Sequence, residues 1–283
     1  MLDCIMDGII DTLKLLPYLL VTFIILEYFE HKLSKKHQKL LSNNKKYGPA
    51  VGGILGVLPQ CGFSAMAANL FSARVITMGT LIAVFLSTSD EMLPIMISEH
   101  ADILLLIKVL LFKVIIGIII GFIIDIVYRS NDSKNNDHIH ELCDHDHCSC
   151  DNNGIIISSL KHTIKIGLFI LIANLLINIV IFNVGEENVS NLLLNNNIFT
   201  YFVSSLIGLI PNCAGSVIIT ELYLSNFISL GTMLAGLLTG SGLGILLLFK
   251  TNKNMKENIM ILSIVYLIGV IVGFMVDLII WFL

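Results

Sequence analysis

With 283 residues, 55% hydrophobic, 13% charged and a mean hydropathy of +0.87, the chain is too apolar for an ordinary soluble domain. A net charge of −4 on so few ionisable groups says little about partners, and no nucleic-acid partner is expected. Of six cysteines, two lie deep in apolar sequence and three in one loop, which points to ligand or structural thiols rather than a disulfide framework.

Eight apolar stretches follow in chain order, near 9–30, 49–72, 75–97, 103–128, 160–182, 199–223, 227–249 and 258–282. Each has roughly the 20 residues that carry a helix across a ~30 Å hydrocarbon core. The chain reads as an all-α polytopic membrane protein whose partner is the lipid bilayer. No basic region precedes the first stretch and no small-residue cleavage site follows it, so it reads as a membrane helix rather than a removed signal peptide. The loop from His31 to Tyr47 carries Lys32, Lys35, Lys36, Lys39, Lys45 and Lys46, which places it in the cytoplasm by the positive-inside rule.

The second stretch contains a polar break, Pro59-Gln60-Cys61-Gly62-Phe63-Ser64, and the sixth contains another, Pro211-Asn212-Cys213-Ala214-Gly215-Ser216. From Pro59 to Pro211 the offset is 152 residues, and it recurs widely. It relates Asn69 to Glu221, Gly79-Thr80 to Gly231-Thr232, and Ser87-Thr88-Ser89 to Thr239-Gly240-Ser241. It also relates Gly117, Gly121, Phe122 and Asp125 to Gly269, Gly273, Phe274 and Asp277. Convergent apolar composition does not produce matched Pro, Cys and Asp, so the chain is duplicated.

The loops related by that offset have opposite charge. Residues 183–197 carry Glu186 and Glu187 and no lysine, whereas the lysine-free loop 98–102 corresponds to one with Lys250, Lys253 and Lys256. Opposed loop charge is what two inverted-topology repeats produce. Inversion needs an odd number of crossings per half, which the four stretches satisfy if the Pro-bearing one is a re-entrant hairpin. Each repeat then has about five segments, some re-entrant or broken, and the chain ten. Eight full spans in a parallel repeat is the alternative. The domains expected are a first membrane repeat over 1–129, a cytoplasmic loop over 130–157 and a second repeat over 158–283.

The candidate ion pathway follows the breaks: Gln60, Cys61, Ser64, Ser87, Thr88, Ser89, Asp90, Glu91, Asn212, Cys213, Ser216, Thr239 and Ser241. Hydroxyls replace lost backbone hydrogen bonds where a helix unwinds, and carboxylates near a membrane centre mark ion paths. Thiolates suit arsenite, Cd, Zn or Cu(I), and hard oxygens suit Mn(II), H⁺ or Na⁺. Lys113 either pairs with Asp90 or Glu91 or snorkels to the interface. Gly117/Gly121 and Gly269/Gly273 have helix-packing spacing, and Asp125 and Asp277 read as interfacial ends of their helices.

Between the halves, residues 137–151 read D-H-I-H-E-L-C-D-H-D-H-C-S-C-D. His138, His140, Cys143, His145, His147, Cys148 and Cys150 are imidazole and thiolate donors suited to divalent transition metals. Their dense, irregular spacing predicts a flexible metal-catching segment rather than a zinc finger. A transition metal is thus expected as loop ligand and as substrate, with no cofactor.

The run from Gly48 to Pro94, with Gly-Val-Leu-Pro-Gln-Cys-Gly-Phe-Ser and Ser-Thr-Ser-Asp-Glu within it, resembles the ten-helix heavy-metal exporter family of prokaryotes, whose members are variously called arsenic efflux proteins and manganese transporters. The resemblance covers both membrane halves. It implies a multi-pass prokaryotic cell-membrane transporter that exports a metal or metalloid ion from the cytoplasm. It leaves the ion and any homo-oligomer open. No phosphate-binding glycine-lysine loop or phosphorylatable Asp domain is present, so the chain reads as a secondary-type carrier, and with no intramembrane His-Glu metal motif or Ser/Lys pair it does not read as an enzyme. A metal-gated channel or metal-sensing membrane receptor is the other reading.

Overall fold

A computed structural model describes residues 47–57, 61–89, 92–98, 101–128, 198–211 and 213–282, together with isolated helical positions between 13 and 24 and between 160 and 175. Among the described residues the chain is helical, with no strand. The first half contributes α1 (Gly48–Gly56), α2 (Cys61–Ser72), α3 (Met78–Ser87), α4 (Met92–Ser98) and α5 (Ile103–Tyr128). The second contributes α6 (Phe199–Gly208), α7 (Cys213–Leu224), α8 (Leu230–Thr239), α9 (Leu243–Thr251) and α10 (Met255–Phe282). The bounds of α2 and α3 reappear in α7 and α8 at the 152-residue offset without slippage. So do the left-handed residues Arg74 and Asn226, both at φ 59° in the turns after α2 and α7. The duplication read from the sequence is a duplication of structure.

Each apolar stretch with a Pro-amide-Cys break forms two helices instead of one. Gly48, at the start of α1, lies against Thr80 near the start of α3, and Gly56, at its end, lies against Ser87 at the end of α3. Helices α1 and α3 therefore run in the same direction. Between them α2 runs back, because its Ser64 and the Phe85 of α3 both meet Gly244 while a short turn joins its other end to α3. The second half repeats this, with Tyr201 and Ser229 sharing Asp277 at the starts of α6 and α8 and Gly208 against Gly236 and Thr239 at their ends. An eight-span chain, with α1 and α2 as one straight crossing, would make α1 and α3 antiparallel. Among the described residues α1 and α2 are therefore not one straight crossing.

Small residues make these contacts possible. A Cβ at Gly52 would lie 2.9 Å from the Thr80 carbonyl, so only glycine lets α1 approach α3 this closely. The second half uses hydroxyls in the equivalent places: Ser204 Oγ donates to Thr232 O at 2.7 Å and Ser205 Oγ to Ala235 O at 3.2 Å. Without a hydrophobic drive between helices in lipid, close backbone approach and interhelical hydrogen bonds hold such pairs together.

Among the described residues, three helical segments are long and apolar enough to cross a membrane: α5, α10 and the broken α8–α9 unit from Leu230 to Thr251. The broken unit is mostly buried inside the protein. In contrast, α5 presents Leu111, Ile115, Ile119 and Ile123 outward, each about half exposed, which is a lipid-facing stripe rather than a soluble surface. Its opposite face, Lys113, Gly117 and Gly121, packs on α3.

Candidate functional site

The two halves are joined by exchange. Helix α2 packs against α9 of the other half, and α7 packs against α4. Both contacts bring the arm after a Pro-amide-Cys break onto the helix that follows the Ser/Thr break of the opposite repeat. At the outer end of the α2–α9 pair, Ser72 Oγ and Thr251 Oγ1 lie 2.7 Å apart, and Arg74 forms a 2.8 Å ion pair with Glu257.

Where α3 ends, hydroxyls take up backbone carbonyls. Ser87 Oγ donates to Ala83 O at 2.7 Å, Thr88 Oγ1 to Val84 O at 2.7 Å and Ser89 Oγ to Ser87 O at 3.2 Å. Where α8 ends, Thr239 Oγ1 donates to Ser205 O at 2.9 Å and Gly236 O at 2.8 Å, tying the break to α6. Gly242 continues the chain at φ 52°, ψ −138°, a conformation that side chains strongly disfavour. Ser241 N turns to Thr239 O at 2.8 Å rather than to Leu237 O, so the α8 ladder opens there. Among the described residues the buried Ser241 hydroxyl has no hydrogen-bond partner.

Lys113 joins the two breaks. Its ammonium donates to Thr88 O at the end of α3 and, at 2.8 Å, to the released Leu237 O of α8. The side chain has no exposed surface, which corrects the snorkelling alternative: the long stem runs inward between the halves, not outward along lipid. Its duplicate position is Val265, also buried and without charge. Beside the ammonium lies a small cavity with room for about one water, lined by Thr88, Ser89, Met92, Gly208, Ser216, Leu237, Gly240 and Gly242.

The candidate pathway residues thus separate into three groups. Thr88, Ser89 and Ser216 line the cavity, with Ser87, Thr239 and Ser241 buried beside it. Ser64 does not line it, because α2 presses that residue onto Gly244. Gln60, Asp90, Glu91 and Asn212 lie outside the described residues, as do the side chains of Cys61 and Cys213 and the whole loop with His138, His140, Cys143, His145, His147, Cys148 and Cys150. Cys61 and Cys213 open α2 and α7.

The aspartates require a correction. Asp125 and Asp277 do not end their helices, which continue to Tyr128 and Phe282. Each carboxylate closes a latch within its own half. Asp125 accepts from Gly79 N at 2.8 Å and Thr77 Oγ1 at 2.7 Å, and Asp277 accepts from Gly231 N at 2.8 Å and Ser229 Oγ. An anion on the first turns of α3 and α8 meets unpaired amide groups and the positive end of the helix dipole. Thr77 and Ser229 also cap those helices. Sequence reasoning missed these latches, although the matched hydroxyls 48 residues before each aspartate were a legible signal.

A scan against protein families finds the chain matched over residues 2–189 and 151–280 by the family described as a putative, 10TM heavy-metal exporter. The chain belongs to this family. Membership agrees with the multi-pass helical architecture and supports metal efflux across a membrane as the general role. Neither the curated proteins nor the solved structures contain a match. In this exporter family member the ammonium of Lys113 brings together backbone carbonyls of both halves at the crossed breaks.

Proposed function

We propose that the chain is a secondary-type exporter that carries a heavy-metal or metalloid ion, arsenic or a divalent cation such as Mn, out of the cytoplasm by alternating access. The observation that carries this reading is the meeting of two helix breaks from duplicated halves at one buried polar cavity. Released carbonyls and half-helix ends are what such carriers use to hold ions near the midplane.

Inverted topology of the repeats is part of the proposal, and two observations support it. The C-terminal ends of α2 and α9 meet at Ser72 and Thr251, so α9 finishes on the side where α3 begins. With α8 and α9 as one broken span, α8 starts on the opposite side from α3, and the halves run in opposite directions. The opposed loop charges favour the same arrangement, with Arg74, Lys250, Lys253 and Lys256 on the cytoplasmic side beside the lysine-rich loop.

In this scheme the His/Cys loop gathers cytoplasmic metal, and the thiols of Cys61 and Cys213, with Asp90 and Glu91, receive it at the inner ends of the hairpin arms. One repeat then rocks against the other, driven by an ion gradient, and the seam between α2 and α9 closes the cytoplasmic side. The test is a growth and efflux panel in cells challenged with As(III), Mn, Zn, Cd, Co and Cu. Resistance to the carried ion is expected to be lost with Cys61→Ala or Asp90→Asn, and normal efflux in both would refute the proposed path. Deleting residues 137–151 is expected to lower apparent affinity while some transport persists. Counterflow of labelled ion in proteoliposomes separates a carrier from a metal-gated channel, which gives none.

A further inference from the structure

The Lys113 ammonium occupies a place built for a small cation. It lies at the C-terminal ends of two half-helices, α3 and α8, where the dipoles of both are negative. Its acceptors include two backbone carbonyls, Thr88 O and the Leu237 O that the opened ladder releases. A further oxygen, the buried and unpartnered Ser241 hydroxyl, belongs to the same break. Carbonyls at half-helix ends and hydroxyls at a break are the hard-oxygen ligands that hold monovalent metal ions in membrane carriers.

We propose that Lys113 is a tethered substitute for a bound monovalent metal cation: its ammonium fills the carbonyl seat at the crossed breaks, so that the wild-type protein takes no Na⁺ there, and removing the charge creates a Na⁺ site. Asymmetry between the halves has the same cause. One fixed charge reaches acceptors in both repeats, and the duplicate position holds the buried, uncharged Val265. The tether makes the resting charge of the centre independent of ionic conditions and joins the halves through a contact that cannot dissociate into solvent. This inference rests on the reading of the breaks as an ion pathway, but its test needs no transported substrate.

The purified protein in lipid nanodiscs is titrated with NaCl against choline chloride at constant ionic strength, and the thermal midpoint is followed. Lys113→Gln and Lys113→Met are expected to gain a saturable Na⁺-dependent rise of about 3 °C, in line with a ligand bound only by the folded state. Wild type and Lys113→Arg, which keeps a cation in the seat, are expected to show no difference between the two salts. A Na⁺-dependent rise in wild type, or its absence in both folded neutral variants, overturns the proposal. Should neither neutral variant withstand purification, radiolabelled Na⁺ binding to membranes holding Lys113→Asn or Lys113→Ala decides: saturable binding gained over wild type upholds the proposal, and no gain in either overturns it. Failure of metal efflux in the cell panel, with the Na⁺ response of the variants intact, would remove the exporter reading and leave the tethered cation standing.

Discussion

The seam between α2 and α9 and the seam between α7 and α4 occupy duplicate places and are packed differently. In the first, Ala65, Ala68, Phe71 and Ala73 are buried, and Leu247 and Leu248 close against them. In the second, Glu221 is exposed, Leu222, Tyr223 and Leu224 are half-buried, and Ile97 on α4 is exposed. One residue accounts for much of the contrast. Gly244 lets the α2 backbone come within contact, since a Cβ there would lie 2.9 Å from the Ser64 carbonyl carbon and 2.8 Å from the Phe85 ring. Its duplicate is Met92, a buried side chain that lines the cavity. The ion pair of Arg74 and Glu257 likewise has Asn226 and Leu105 in the duplicate places, which cannot form one. By contrast, the hydroxyl and glycine-amide bonds to Asp125 recur at Asp277, which also accepts from Tyr201, whose duplicate place holds Pro49. The helix ends and latches thus recur within each half, and a large difference between the halves lies where they touch each other.

The largest expected effect comes from moving the bulky side chain to the sealed seam. Gly244→Met should cost about 3 kcal/mol in thermal unfolding through overpacking against Ser64. It should also abolish oxidative crosslinking between cysteines placed at Ser72 and Thr251, whose hydroxyls are 2.7 Å apart. Met92→Gly should leave that crosslink intact; if it does not, the two seams are not independent. Next in size are Asp125→Asn and Asp277→Asn, each expected to lose about 2 kcal/mol with the loss of a charge-assisted hydrogen bond. A severalfold inequality between them would show that the latches are equivalent in shape only. The smallest effect on stability is that of Arg74→Ala, below about 1 kcal/mol, because the pair with Glu257 is partly exposed. Its effect on access should be larger. In a background without native cysteines, Arg74→Ala should raise labelling of Ser64→Cys by a membrane-impermeant thiol reagent, whereas Asn226→Ala should not.

Much of this architecture was legible in the sequence. Pro59 and Pro211 with their neighbours gave the duplication, and the loop lysines suggested that the chain reverses inside the second and sixth apolar stretches. Ser87-Thr88-Ser89 and Thr239-Gly240-Ser241 marked the breaks because hydroxyls and glycine are costly ornaments in an unbroken span. What could not be read was partnership across halves. Nothing in the local pattern around Lys113 tells an inward stem from a snorkelling one, since both occur in a helix of Leu, Ile and Val. Gly244 is one glycine among 21, and its importance depends on which helix of the other repeat arrives there.

The exchange of arms between halves also bears on how the protein is made. The buried face of α2, with Ala68 and Phe71, is covered by α9, which is synthesised some 170 residues later, from Leu243 onward. A nascent chain that has just delivered its first five described helices to the bilayer still lacks that cover, so the amino-terminal half waits for its complement. The two halves expressed as separate polypeptides should each be short-lived alone and should rescue one another when made together.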